Sequence, residues 1–550
     1  MNIRQVAENA RLSCRFLDNK QCVKVTIAAS PGVDISPQVE SLGKWAEKDN
    51  INRKVIVSGS LGYYDLEPVV FVEKPGYSSV LYARVTEDVI SEFIQECIES
   101  DDLRPDLAFC NFGREEIEGV PSASDLPLFT LQKRIALRNC GLVDPEDVNH
   151  YVAAYGGYTG LAKALEITPV EVSERLRESH LRDGRTGVLA ADRWRIIHDV
   201  QQDQKYMICD AVDNDPRTRT AKLLLWGDPH SILEGMLIAA YVVGASRCII
   251  VMDASKNGEV ERLRRALKQL LDYGLLGEGI LGSEFNCYVE IKEVVPSLVL
   301  GDETALLSLL EKGEAIPYLP NRGDTPLFQG KPALVENAQT LADVSAILQR
   351  GTEWFSPVGT LSERGSRVIS LSGAVVHSYT VEVPFGTTIG DIVNKIGGGA
   401  PNGGFIEAVQ VGGTTGTYSN FRDPGLALDG DCFPIAGSIG GSGSIEVMTD
   451  DICAVEMADS NMLYAQTQSC GKCLFCREGT LQISEILKDI VRGEGEIGDL
   501  DLLIELSEAM NVSSLCGVGR SAASAILSSV ELFRHEYNVH IREKKCPLKP

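Results

Sequence analysis

Aromatic residues make up only 6% of this 550-residue chain, histidines number seven, and 52 lysines and arginines face 77 acids. Each shortage excludes something. A formal net charge of −25 repels nucleic acid and anionic membrane, so the expected partners are proteins and small molecules. The seven histidines form no paired metal motif, and no serine sits in a nucleophile elbow, which leaves hydrolytic chemistry without a constellation. His230, in Gly-Asp-Pro-His, reads as a residue of a helix start. No apolar run approaches the length of a membrane span, and the opening Met-Asn-Ile-Arg-Gln-Val-Ala-Glu-Asn has no apolar signal region. A soluble, cytoplasmic protein with no membrane insertion is expected.

Cysteine, by contrast, is plentiful. The fifteen cysteines are odd in number and scattered without paired spacing outside one loop, which suits a reducing compartment better than a disulfide framework. That loop reads Cys470-Gly-Lys-Cys473-Leu-Phe-Cys476, and Cys516 follows forty residues on in Ser-Leu-Cys-Gly-Val-Gly. A four-iron cluster needs four thiolates converging on one small volume, commonly three from one tight loop and one from a distant segment. Gly471 permits the tight backbone, and Lys472 and Arg477 would offset the negative charge of the cluster. Two-residue spacings also serve structural zinc, but three cysteines in consecutive CxxCxxC order are more typical of iron–sulfur loops. The helix-period run Leu481 to Val491 places a helix directly after the loop.

With 44% hydrophobic residues, a chain of this length is expected to fold as about three or four domains. Residues 1–105 alternate strand runs (Val23 to Ala29, Lys54 to Ser58) with helical stretches such as Thr86 to Glu99, a small α/β unit. Residues 106–135 read as a linker. Residues 136–360 alternate helix and strand, with strands at Tyr206 to Cys209 and Cys248 to Met252 and a long apolar helix from Ser231 to Val243, the pattern of a Rossmann-like sheet. Residues 361–445 are rich in Val, Gly and Thr and suit a β-grasp module, with strands at Val368 to Leu371, Thr380 to Val383 and Phe405 to Val411 and a helix at Thr388 to Ile396. Residues 446–550 return to helical period in Leu502 to Met510 and Ala522 to Phe533, helices that would frame the cysteine loop.

Four stretches carry a resemblance over most of the chain: Ser469 to Thr480 with Cys516, Gly440-Gly-Ser-Gly-Ser-Ile-Glu-Val-Met, Trp226-Gly-Asp-Pro-His-Ser-Ile-Leu-Glu-Gly-Met, and Phe533-Arg-His-Glu-Tyr-Asn-Val-His-Ile. With them the chain resembles the flavin-carrying, NADH-oxidising subunit of respiratory complex I, and more closely its relatives in soluble bifurcating hydrogenases and formate dehydrogenases. The resemblance implies a thioredoxin-like first domain, a flavin and nucleotide domain, a soluble-ligand-binding (SLBB) β-grasp domain and a helical domain holding a 4Fe–4S cluster. It also implies FMN and NADH as ligands and other redox subunits as partners.

The cofactor segments depart from the family pattern. Where relatives have a glycine-rich Arg-Gly-Arg-Gly-Gly-Ala-Gly-Phe-Pro-Thr-Gly loop that lies against flavin and phosphate, this chain has Leu181-Arg-Asp-Gly-Arg-Thr-Gly-Val-Leu-Ala-Ala-Asp-Arg-Trp, keeping Gly184 and Gly187. Asp183 would repel a phosphate at short range. Asn-Ala-Asp-Glu-x-Glu-Pro-Gly has become Asp210-Ala-Val-Asp-Asn-Asp-Pro-Arg, and Lys-Pro-Pro-Phe-Pro has become Ile316-Pro-Tyr-Leu-Pro. Leu300-Gly-Asp-Glu-Thr-Ala-Leu keeps Gly301, Glu303 and Thr304, and Gly330-Lys-Pro leads to Asn337. If a flavin is retained, Gly184, Gly187, Glu303 and Asn337 are its expected contacts. In the first domain, the positions where relatives place a two-iron pair hold Ser60 and Tyr64.

Cys14, Cys22, Cys97, Cys110, Cys140, Cys209, Cys248, Cys287, Cys432 and Cys453 read as ordinary buried residues. Cys546, in Lys545-Cys-Pro, reads as the remnant of a ferredoxin-like extension found in longer relatives.

Three functions follow from these readings. The first is an iron–sulfur electron-transfer and scaffold subunit of an oxidoreductase complex, without FMN or NADH oxidation. The second is a working NADH:acceptor oxidoreductase, which needs a flavin to split a hydride's electron pair for a one-electron cluster. The third is a structural subunit whose cluster is not redox active. Altered cofactor loops beside intact cluster ligands favour the first.

Overall fold

The computed structural model describes residues 2–100, 102–113, 117–319, 325–423, 425–429 and 443–548. It is a mixed α/β structure of three five-stranded sheets and a C-terminal helical region.

The first sheet has the order β2-β1-β3-β4-β5, from Val23–Ala29 (β1), Arg53–Gly59 (β2), Val69–Glu73 (β3), Val80–Tyr82 (β4) and Ala108–Asn111 (β5). β1 and β2 are parallel and the other pairs antiparallel. One face buries Val25, Ile27, Val70 and Val72 against Trp45 and Phe93. Two expectations change here. β5 lies in the stretch read as a linker, so part of that segment completes the sheet's edge. The α-helix expected from Thr86 begins only at Ile90 and passes into a wider turn over Ile94–Glu99.

The second sheet, β8-β7-β6-β10-β9, is built from Tyr206–Ala211 (β6), Arg247–Asp253 (β7), Tyr288–Val294 (β8), Leu327–Phe328 (β9) and Lys331–Asn337 (β10). All neighbours are parallel except β9 with β10. Its central strands are apolar on both faces because both are covered. Met207, Cys209, Cys248, Ile250 and Met252 face one core. Ile208, Ile249 and Val251 face another. Pro229–Val243 is apolar all round for the same reason, 14 of its 15 residues being buried. It starts earlier than Ser231 because the Asp228 carboxylate accepts the Ser231 amide at 3.1 Å and caps it. The N-terminal helix Ile3–Ser13 sends Val6 and Ala10 into this core, so it does not belong with the first sheet.

β6 sits between strands that continue in opposite directions along the chain: β7 and β8 on one side, β10 and β9 on the other. The crevice beyond the carboxyl ends of β6 and β10 is therefore a topological switch point, the usual ligand position of such sheets.

The third sheet, β12-β11-β15-β13-β14, comprises Ser366–Gly373 (β11), Thr380–Pro384 (β12), Ile406–Val411 (β13), Thr417–Asn420 (β14) and Ser444–Thr449 (β15). Gly440, Gly441 and Ser442 of the quoted motif, and Cys432, lie outside the described residues. Glu382 of β12 ties this sheet to the segment before the second one. Its buried carboxylate accepts three successive amides, Ile135, Ala136 and Leu137, at 2.8, 3.0 and 2.9 Å.

Five helices follow: Ala454–Thr467, Leu474–Val491, Asp499–Ser513, Gly517–Leu532 and Arg534–Glu543. Their apolar faces meet in a core of Ile483, Leu487, Leu503, Met510, Ile526 and Tyr537. Among the described residues, no helix is long and apolar enough to cross a membrane.

Candidate functional site

The four cysteines of the loop pattern converge. Cys473 caps Leu474–Val491, Cys476 lies in its first turn, and Cys516 caps Gly517–Leu532. Two helix N-termini therefore present amide groups and positive dipole ends to one small region. Cys516 feels the charge of Cys470 and Cys476, and Cys476 that of Cys473 and Cys470. The Leu515 amide donates to Cys473 Sγ at 3.4 Å, and Ser469 Oγ lies 3.4 Å from Cys476 Sγ. Burial pushes the Cys516 thiol up to about 12 and raises Cys476, so a bound metal would displace protons from both.

Glycines and one arginine make this approach possible. Gly471 adopts φ +75°, a left-handed turn between the first two cysteines. A Cβ on Gly519 would come within 2.2 Å of Ser514 Oγ and 3.1 Å of Cys476 Cβ, so that helix can lie this close only with glycine there. Arg520 holds the Cys516 turn by donating to the Ser514 and Leu515 carbonyls at 3.1 and 2.7 Å. Lys472 donates to Pro317 O at 2.6 Å, and Cys470 and Cys516 pack with Leu298, Val299 and Ala305 of the second sheet's region. Of the two expected counter-charges, Arg477 is already paired with Glu478. Four sulfurs, amide donors and an apolar back wall fit an iron–sulfur cluster, which supplies one-electron transfer when bound. Leu474 and Phe475 stand 59% and 49% exposed beside the half-buried Cys470 and Cys473.

The switch-point crevice is different in kind. Arg185 forms a buried ion pair with Asp210 at the end of β6 and donates to the Gly301 carbonyl at 3.2 Å. Arg193 pairs with the fully buried Asp183, with Glu303 at 2.7 Å, and donates to Val335 O at 3.3 Å. Trp194 Nε1 donates to Glu336 at 2.8 Å. Burial alone would raise Asp183, but Arg193, the Thr186 hydroxyl and the Arg185 amide bring it below the usual carboxylate range. For Asp210 burial prevails over Arg185, and its carboxyl is raised.

The residues expected to touch a flavin are present but committed elsewhere. The Gly184 amide donates to Thr340 Oγ1 at 3.2 Å, and Asn337 caps its own helix, Ala338–Arg350, by accepting the Thr340 amide at 2.8 Å. A Cβ on Gly184 would lie 2.4 Å from Asn337 Nδ2, so the loop is already flat against that helix end. The Gly187 amide, at φ +72°, returns to Asp183 O. Glu303 is held by Arg193. Two cavities of about 80 and 130 Å³ remain around Arg185, sharing Gly184, Arg185, Asn337, Gln339 and Arg367, and a third of about 350 Å³ adjoins the second at Asp213, Asn214, Asp215 and Thr218. The two around Arg185 are well below the roughly 300 Å³ at which small-molecule sites begin, and the third is just above it. Around Arg185, Gly184 and Asn337 the side chains are bonded to one another and leave little room for a flavin ring.

The profile of the NADH-ubiquinone oxidoreductase-F iron-sulfur binding region matches residues 456–540, and that of the Nuo51 FMN-binding domain matches residues 182–346. The chain is 39% identical over 419 residues to the NADP-reducing hydrogenase subunit HndC of Solidesulfovibrio fructosivorans, covering 76% of this chain and 85% of that protein. It is 33% identical to one of the NADH-quinone oxidoreductase F-type subunits of Rhizobium meliloti, covering 75% of this chain and 99% of that one. This chain belongs to the NADH-quinone oxidoreductase F-type family. An NAD+-reducing [NiFe]-hydrogenase shares its fold, with a TM-score of 0.64 at 21% identity over 97% of this chain and 88% of the other.

Within this family member, one cluster escaped sequence reasoning. Cys453, His540 and Cys546 bring their ligand atoms within 4.8 Å of one another, with Cys453 Sγ 3.3 Å from His540 Nε2. These donors could hold a metal ion. Cys453 is buried as expected and also belongs to this group, and Cys546 has a place in the helical core. The six-residue step from His540 to Cys546 was the available signal, but Cys453 lies 87 residues before His540. The other described cysteines outside the loop are buried and free, as expected. Ser60 donates to Glu67 at 2.5 Å and Tyr64 to Thr380 at 2.8 Å, so both side chains are engaged within the fold.

Proposed function

We propose that this chain is an iron–sulfur electron-transfer and scaffold subunit of a multi-subunit oxidoreductase, with one 4Fe–4S cluster on Cys470, Cys473, Cys476 and Cys516 and without FMN-dependent NADH oxidation. The observation that carries the reading is a contrast between two sites. The cysteine site gathers its sulfurs at two helix N-termini beside amide and hydroxyl groups, while the nucleotide crevice has its charged groups paired with one another. In this reading residues 1–105, apart from the helix Ile3–Ser13, are a thioredoxin-like domain without two-iron ligands, 106–135 complete its edge with β5 and connect it onward, 136–360 are a degenerate FMN/NADH-type domain, 361–445 an SLBB β-grasp domain and 446–550 the cluster domain.

Similarity to subunits of a hydrogenase and of a quinone oxidoreductase supports other redox subunits as partners. So does the exposed apolar pair Leu474 and Phe475 beside the half-buried cysteines, which suits a protein contact at the cluster's edge. The cysteines would position and insulate the cluster, the amides of Leu515 and of the helix starts would set its potential, and the α/β body would hold it to its partners. Iron, sulfide and flavin analysis of the purified chain, with electron paramagnetic resonance after dithionite, tests this. A reducible four-iron signal without flavin supports it. Stoichiometric FMN with NADH-driven dye reduction refutes it.

A further inference from the structure

The crevice at the carboxyl ends of β6 and β10 raises a narrower question: which residues keep a nucleotide out. We propose that Arg185 is an internal plug that closes this crevice to flavin mononucleotide, and that Asp210 is the anchor that holds the plug in place. The inference rests on the reading of the chain as a relay without flavin and deepens it.

Three observations carry the assignment. Arg185 reaches from the Leu181–Trp194 loop into the crevice and is almost wholly buried there, with 7% of its side chain exposed. Its guanidinium binds the Asp210 carboxylate and the Gly301 carbonyl, so one side chain bridges the loop, the end of β6 and the turn before Glu303. Arg193 does the same on the far side, joining Asp183, Glu303 and the Val335 carbonyl of β10. Between them the two arginines cross-link the loop to β6, β10 and the turn before Glu303, and the space left around Arg185 is two small cavities, set beside a larger one of about 350 Å³ at Asp213, Asn214 and Asp215.

The charge pattern explains two residues that make no sense at a phosphate site. Asp183 and Asp210 would each repel an anionic ligand. Each is instead the partner of an arginine that occupies the space, so acid and base form matched pairs. A buried guanidinium without its carboxylate would be strongly destabilising, and so would the carboxylate without the guanidinium. The two members of the Arg185–Asp210 pair therefore have to be exchanged together. The loop backbone needs no change, because Gly184 already holds it against the helix end at Asn337 and Gly187 turns it back on Asp183.

The test is a gain of binding in the full-length chain. FMN is titrated into the wild type and into the paired variants R185G/D210N and R185A/D210N, following flavin fluorescence, flavin retained after desalting, and thermal melting. Cluster absorbance and circular dichroism establish which variants are folded. The expected result is no retained FMN in the wild type and at least tenfold tighter binding, or about 1.4 kcal/mol, with a raised melting temperature in a folded paired variant. If neither folded variant binds FMN while the wild type also does not, the plug is refuted and the relay reading stands. If the wild type itself retains FMN, both fall.

Discussion

Cys473 and Cys516, 43 residues apart, occupy equivalent places: each is the N-cap of a long helix, Leu474–Val491 and Gly517–Leu532, and the amide of Leu515 beside one donates to the sulfur of the other at 3.4 Å. The metal-binding loop and the distant fourth cysteine are thereby registered by the backbone itself. Changing Cys473 to Ala removes a ligand with no substitute at that position. Iron and sulfide should fall from about four per chain to a small fraction of that, and the last helices should become protease-sensitive. A full iron complement in the variant contradicts the ligand assignment.

Arg217 joins three parts of the molecule. It pairs with Glu446 of β15 and donates to Gln410 of β13 at 2.6 Å and to Asn461 of the first C-terminal helix at 3.0 Å. Replacing it with Ala leaves Glu446 largely buried and unpaired. The expected cost is about 3 kcal/mol, read by chemical denaturation, with earlier loss of cluster absorbance on heating. An unchanged denaturation midpoint contradicts this role.

The residues that set these contacts explain what the sequence could and could not disclose. β1 was legible to the residue, because Val23, Val25 and Ile27 alternate with Lys24 and Thr26 at strand period and run on into Ala28 and Ala29. β6 and β7 were legible as the short apolar runs Tyr206 to Cys209 and Cys248 to Met252. The helix after the cysteine loop was placed seven residues late: its first turn carries Cys476 and Arg477 in place of the apolar repeat, and its cap is Cys473, a residue not among the usual caps. β5 was missed because four residues at a sheet edge carry little pattern. The loss of the glycine-rich loop was visible, yet its meaning was not. Arg193 finds Glu303 across 110 residues and Arg185 finds Asp210 across 25, pairings that only the folded chain creates.

Glu382 offers a third test. Its carboxylate takes the amides of Ile135, Ala136 and Leu137 and the Ser366 hydroxyl, the last at 2.6 Å. Glu382 to Ala leaves these donors unsatisfied in a buried place. A loss of about 3 kcal/mol is expected, and hydrogen exchange should quicken first at residues 135–137. Exchange there equal to the wild type contradicts the clamp.

His230 gives a pH dependence with a definite sign. Burial lowers its pKa from 6.5 to about 4, and its Nδ1 lies 2.9 Å from the Tyr158 hydroxyl. The unfolded chain therefore takes up a proton near pH 6.5 that the folded chain refuses until about pH 4. Folded stability from this group is present above pH 6.5 and is lost as pH falls towards 4, by up to about 3 kcal/mol. Relative to His230→Gln, the wild type should lose stability progressively over that window. Parallel curves for the two proteins contradict a buried neutral histidine.

The central claim, one cluster and no flavin, is met most directly by cofactor analysis of the anaerobically purified full-length chain. The account predicts about four iron and four sulfide per chain, a dithionite-reducible cluster signal, and no FMN released by acid. Stoichiometric FMN, or iron and sulfide absent from a folded chain, contradicts it.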